Sequence, residues 1–109
     1  MKDCIFCKIR DGEIAKEFEY QDEHIMIFPD INPAKEVHIL VVPKKHIGDF
    51  LDLKDEFLLS AIKKGLDMMV KDNKLENAGY RVLVNGGGAQ ILEHLHFHLL
   101  GPMGRNVKI

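Results

Sequence analysis

The sequence predicts an α+β domain with a mostly antiparallel sheet. Two observations predict it: short β-compatible runs occur in pairs near the start and again near the end, and one long stretch between them carries helical periodicity. A length of 109 residues suits one domain, residues 1–109. A chain this size buries only about 60–65% of the surface its unfolded form exposes, so a metal or a partner subunit would help a thin core.

Each element follows from its residues. Cys4 to Arg10 reads as one or two helical turns ended at Asp11-Gly12. Lys16 to Tyr20 and His24 to Phe28 are β-compatible, and Gln21-Asp22-Glu23 between them reads as a hairpin turn. Pro29-Asp30-Ile31-Asn32-Pro33 is a loop, because each proline removes a backbone donor and biases the residue before it away from helix. Val37 to Val42 is a nearly continuous apolar run rich in β-branched residues, hence a buried central strand, stopped by Pro43. With Asp52 as its cap, a helix carries Leu58, Leu59, Ile62, Leu66, Met69 and Val70 on one face and Lys63, Lys64, Asp67 and Lys71 on the other. It ends near Asn73 or Leu75. Gly79 to Val84 is a strand, Gly86-Gly87-Gly88 a flexible loop, and His94 to Leu100 a final strand ended by Gly101-Pro102.

Composition narrows the function. Fifteen basic against 17 acidic residues, with no basic run longer than Lys44-Lys45, make no field able to hold nucleic acid non-specifically. Apolar runs such as Ile39 to Pro43 fall far short of the roughly 18 residues that span a bilayer. Met1-Lys2-Asp3 leads straight into Cys4 without an apolar leader core, so a soluble, cytoplasmic protein is expected. The only cysteines, Cys4 and Cys7, form a CxxC better suited to a metal half-site or a redox pair than to a structural disulfide.

Three of the six histidines lie in His94-Leu95-His96-Phe97-His98. On a strand the three imidazoles share one face, and Leu95, Phe97 and Leu99 take the other to the core. Two chemistries suit such a face. In one, the histidines hold a catalytic metal; but alternate residues lie roughly 6.6 Å apart, and a span of about 13 Å from His94 to His98 lets at most two neighbours share one ion. In the other, one imidazole is a nucleophile and another contacts phosphate, a role suited to a group whose ordinary pKa is about 6.5.

His94 to Leu100 resembles the H-φ-H-φ-H-φ-φ signature of the histidine-triad (HIT) superfamily, and the rest of the chain is similar to its nucleoside phosphoramidase branch, the Hint proteins. The resemblance covers Ile5-Phe6-Cys7-Lys8-Ile9, Phe28 to Pro33, His38 to Ile47 and Gly79 to Asn85, in order. It implies a five-stranded antiparallel sheet with one long and one short helix, and a homodimer that buries the long helix. By that match His96 is the nucleophile that attacks the α-phosphorus of a purine nucleoside phosphoramidate or related conjugate, and His98 contacts the phosphate oxygens. Asp30 receives the ribose hydroxyls, and Phe6, Phe28 and Ile31 wall the base pocket. Asn85 and the loop through Ala89 and Gln90 approach the phosphate, and His38 supports the triad from the adjoining strand. Ile91 stands where relatives often carry Ser, so a hydroxyl contact is lost. The resemblance also implies a structural zinc on Cys4, Cys7, His46 and His94, with no catalytic metal. His24 matches no motif and is read as a surface residue.

Overall fold

The computed structural model describes residues 3–105 and 108–109; Met1 and Lys2, at the start read above as lacking a leader core, lie outside them. Helix α1 (Ile5–Arg10) begins at Cys4, whose Sγ accepts the Cys7 N–H at 3.2 Å, and stops at Asp11. Strand β1 is only Tyr20–Gln21, shorter than the expected Lys16–Tyr20. The hairpin turn falls one residue later than expected, because Asp22 Oδ1 accepts the N–H groups of His24 and Ile25 at 2.8 and 3.0 Å. Strands β2 (Ile25–Pro29) and β3 (Val37–Pro43) follow, with the proline-bounded loop between them.

The long helix α2 (Glu56–Asp72) starts three residues later than read from Asp52. Asp52 ends a separate 3₁₀ turn, Phe50–Asp52, and Leu53 is extended, so Asp55 becomes the cap and accepts the N–H groups of Phe57 and Leu58. Five of its six predicted apolar positions are buried; Leu59 instead faces outward, 48% exposed. Gly65 is required by a close approach: a Cβ there would lie 2.8 Å from Ile25 Cδ1.

Strand β4 (Arg81–Val84) starts at Arg81 rather than Gly79, whose carbonyl is taken by the Met103 N–H at 2.7 Å. Strand β5 (Phe97–Gly101) starts at Phe97 rather than His94. The β3 partner ladder has run out there: Val41 pairs Phe97, and two residues further Pro43 has no N–H to give. Among the described residues the sheet is five-stranded and antiparallel throughout, in the order β1-β2-β3-β5-β4. The fold is thus the expected one.

The sheet separates two apolar clusters. Ile25, Ile27, Ile39, Val41, Leu95, Phe97 and Leu99 face α2, while Met26, Phe28, Leu40 and Val42 face α1 with Phe6 and Ile9. Leu95 keeps its place on the α2 side although it precedes the strand, so the alternation read from the sequence outlives the ladder. His38, His96 and His98 therefore stand on the α1 side, next to the second cluster. No helix among the described residues is long and apolar enough to cross a membrane.

Candidate active site

Main-chain groups set the protons of the histidines. His38 Nδ1 accepts the Ala34 N–H at 3.0 Å, so the neutral ring carries its proton on Nε2. That Nε2–H points at His98 Nδ1, 2.9 Å away, with Asp30 Oδ2 at 3.5 Å. His98 then accepts at Nδ1 and holds its own proton on Nε2, a buried nitrogen that is the one such side-chain atom without a hydrogen-bond partner among the described residues. Burial, followed by the neighbouring His96 and His38 rings, pushes the His98 pKa down to about 4, so the donor is neutral at pH 7.

His96 is set the opposite way. Its Nδ1–H donates to the His94 carbonyl at 2.8 Å, which leaves the Nε2 lone pair free. The rings of His96 and His98 are 5.0 Å apart, and Phe6 packs its ring 5.1 Å from His96. A lone pair and a neutral N–H thus lie side by side, one able to attack an electrophile and the other to bond an anionic oxygen.

Both histidines line a cavity of about 490 Å³. Phe6, Ile9, Phe28 and Leu40 line its apolar part, and Asp30, Asn85, His96 and His98 bring the polar groups. Lys16 reaches the same wall, its Nζ 5.2 Å from the Phe28 ring centre. Ile31 and Ile91 also line the cavity and are 82% and 96% exposed, which puts them at its mouth. Of the predicted nucleotide contacts, Ala89 and Gln90 do not line the cavity. The Gly87 and Gly88 N–H groups are already taken, by Asp49 Oδ1 at 2.7 Å and Gln90 Oε1 at 3.0 Å, so these two amides are not free for an anion. Asp49 was not singled out by sequence reasoning; its one signal is an Asp two residues before Leu51, the pattern of a helix cap.

A second constellation gathers beside the triad. Cys4 Sγ lies 3.4 and 3.2 Å from the Nδ1 atoms of His46 and His94, Cys7 Sγ lies 3.3 and 3.6 Å from them, and the two nitrogens are 3.1 Å apart. Tetrahedral bonds of about 2.3 Å to sulfur and 2.0–2.1 Å to nitrogen put ligand atoms about 3.3–3.8 Å apart, so the donor set and its spacing fit such a metal. The tautomer fits too: His94 Nε2–H donates to the Pro43 carbonyl at 2.8 Å, leaving Nδ1 unprotonated towards the cysteines. Burial is the main reason that the Cys7 thiol rises to about 11 and His94 falls to about 4. His24, half-buried, edges onto the exposed Phe57 ring 4.8 Å away and joins neither group.

The family model for the scavenger mRNA decapping enzyme C-term binding family matches residues 3–108. A HIT-like protein of Methanocaldococcus jannaschii is 41% identical over 102 residues, covering 89% of this chain and 77% of the relative. The chain belongs to the histidine-triad (HIT) superfamily. Another relative in this superfamily is the adenosine 5′-monophosphoramidase HNT1 of Candida albicans, 38% identical over 104 residues, which cover 89% of this chain and 68% of that protein. A HIT family hydrolase from Clostridium thermocellum superposes with a TM-score of 0.91 at 35% identity, covering 100% of this chain and 98% of the other.

Proposed function

We propose that this HIT protein is a hydrolase that cleaves purine nucleoside phosphoramidates or related nucleotide conjugates through a nucleotidyl-His96 intermediate. The observation that carries this reading is the pairing of His96, anchored through Nδ1 to the His94 carbonyl, with the buried, unpartnered His98 Nε2–H in the wall of an apolar cavity. The phosphoramidase relatives support the substrate class, and the hydrolase neighbours support the reaction type.

The base lies against the apolar wall that Phe6, Phe28 and Ile31 help to form, Asp30 accepts the ribose hydroxyls, and the α-phosphate meets His98. The His96 lone pair forms a bond to phosphorus as the bond to the leaving amine breaks, and the amine takes its proton from solvent. Water then attacks the same phosphorus and loses a proton to solution while the bond to His96 opens, releasing a nucleoside monophosphate and the free imidazole. Two displacements replace one difficult step, and His98 donates to the phosphate oxygens through both. Cys4, Cys7, His46 and His94 would hold a structural zinc, which when bound ties α1 to the segments carrying His46 and His94. The same reading includes a cytoplasmic homodimer built over α2, where Phe57 and Leu59 are exposed.

Hydrolysis of adenosine 5′-phosphoramidate by the wild type, His96→Ala and chelator-treated protein tests this. Activity lost only in His96→Ala supports it. Activity abolished by brief chelation of still-folded protein replaces it with a zinc-dependent hydrolase, and nucleotide binding without turnover replaces it with a binding module.

A further inference from the structure

Asp49 lies outside the triad, the Cys/His cluster and the cavity wall. Its Oδ2 caps the 3₁₀ turn by accepting the Leu51 N–H at 3.0 Å, while Oδ1 accepts the Gly87 N–H at 2.7 Å across 38 residues of sequence. The neighbouring Gly48 carbonyl accepts the Gln90 side-chain amide at 3.1 Å, and Ile47 O accepts the Leu95 N–H at 2.6 Å. Three consecutive residues, Ile47 to Asp49, therefore grip the loop at three points. The gripped part is a tight turn, closed by Ala89 N–H to Gly86 O at 3.1 Å, with Gly87 and Gly88 at φ of +64° and +97°. A run of three glycines has more backbone freedom to lose than any other, and the local bonds that oppose it are the turn's own closing bond and the Gly88 N–H to Gln90 Oε1 bond at 3.0 Å. The two ends of the turn carry Asn85 and Ile91, both on the cavity.

We propose that Asp49 is a positioning residue, whose carboxylate holds the glycine turn so that Asn85 and Ile91 stand against the cavity beside His96. The consequence for catalysis rests on the function proposed above; the hold on the turn does not. A carboxylate suits the task because a hydrogen bond from an amide to an ionised acceptor is about twice as strong as a neutral one. The lengths agree with this order, 2.7 Å for the Gly87 bond to Asp49 against 3.1 Å for the turn's own closing bond.

The test compares Asp49→Ala, Asp49→Asn and, as a control on the same 3₁₀ turn, Asp52→Ala. Two quantities are read: amide hydrogen exchange at Gly87 and Gly88, and KM and kcat for adenosine 5′-phosphoramidate. Asp49→Ala should speed exchange at Gly87 about tenfold and raise KM by a similar factor with kcat changed less, the expected loss of one charge-assisted hydrogen bond. Asp49→Asn keeps a neutral carbonyl acceptor, about half as strong, and should reduce both effects to about threefold, and Asp52→Ala should match the wild type. Unchanged exchange at Gly87 in Asp49→Ala, or equal losses in Asp52→Ala, would overturn the assignment. If the wild type neither hydrolyses the phosphoramidate nor binds AMP, the proposed function fails, and exchange at Gly87 still decides for or against the hold of Asp49 on the turn.

Discussion

Replacing His38 by Phe keeps an aromatic ring of similar size in the buried strand position but removes both nitrogens. The Ala34 N–H loses its acceptor and, being on an exposed loop, turns to water. His98 Nδ1 loses the 2.9 Å donor that faces it across the sheet, in a partly buried place. One orphaned buried acceptor costs about 1–3 kcal/mol, and the extra apolar ring recovers part of that, so a net loss of about 1–2 kcal/mol is expected. For a domain near 100 residues, each kcal/mol lowers the melting temperature by about 4–8 °C. The sharper readout is the His98 tautomer by ¹⁵N NMR. In the wild type His98 should be protonated at Nε2, and in His38→Phe a mixture of both tautomers should appear, with kcat lowered because the N–H that meets phosphate is no longer assured. A wild-type His98 protonated at Nδ1, or a variant whose tautomer does not change, would refute the chain of hydrogen bonds from Ala34 to the cavity.

Ile62, 1% exposed where α2 meets the sheet, should cost about 2–5 kcal/mol as Ile62→Ala in urea unfolding, leaving the His98 NMR signals in place. Elemental analysis of the purified protein should give one zinc per chain, with Cys7→Ser losing the metal and melting at lower temperature. The pH dependence of stability has a definite sign. His98 titrates at about 4 when folded and near 6.5 when unfolded, so the unfolded state takes up a proton first as pH falls. Its contribution is complete above about pH 6.5 and lost progressively towards pH 4, about 2 kcal/mol allowing for partial exposure, which His98→Asn should remove from a urea titration.

Features with a short-range physical signature were legible in the sequence. The spacing of Leu58, Ile62, Leu66 and Met69 located α2, the β-branched run at Val37 located the central strand, and alternation placed His96 and His98 on one face. Boundaries were less so, because each was decided by a partner distant in sequence. Phe97 opens β5 only because Pro43 closes β3, and Asp55 rather than Asp52 caps α2 because Asp49 has already made a turn of its own. The gathering of Cys4 and Cys7 with His46 and His94 followed from a family motif rather than from spacing, and the structure brings all four together. Asp49 escaped notice for the same reason as the boundaries, since its partner Gly87 is 38 residues away.

The protons of His38, His94 and His96 are all placed by main-chain atoms: the Ala34 amide, the Pro43 carbonyl and the His94 carbonyl. Substituting the side chains at positions 34 or 43 would leave those amide and carbonyl groups where they are, so long as the backbone path is kept. The cavity mouth at the exposed Ile31 and Ile91 can therefore drift in sequence, and with it the choice of base or leaving group, without moving the groups that place those protons. Such a site separates what is recognised from how it is cleaved, and lets the first evolve while the second stands still.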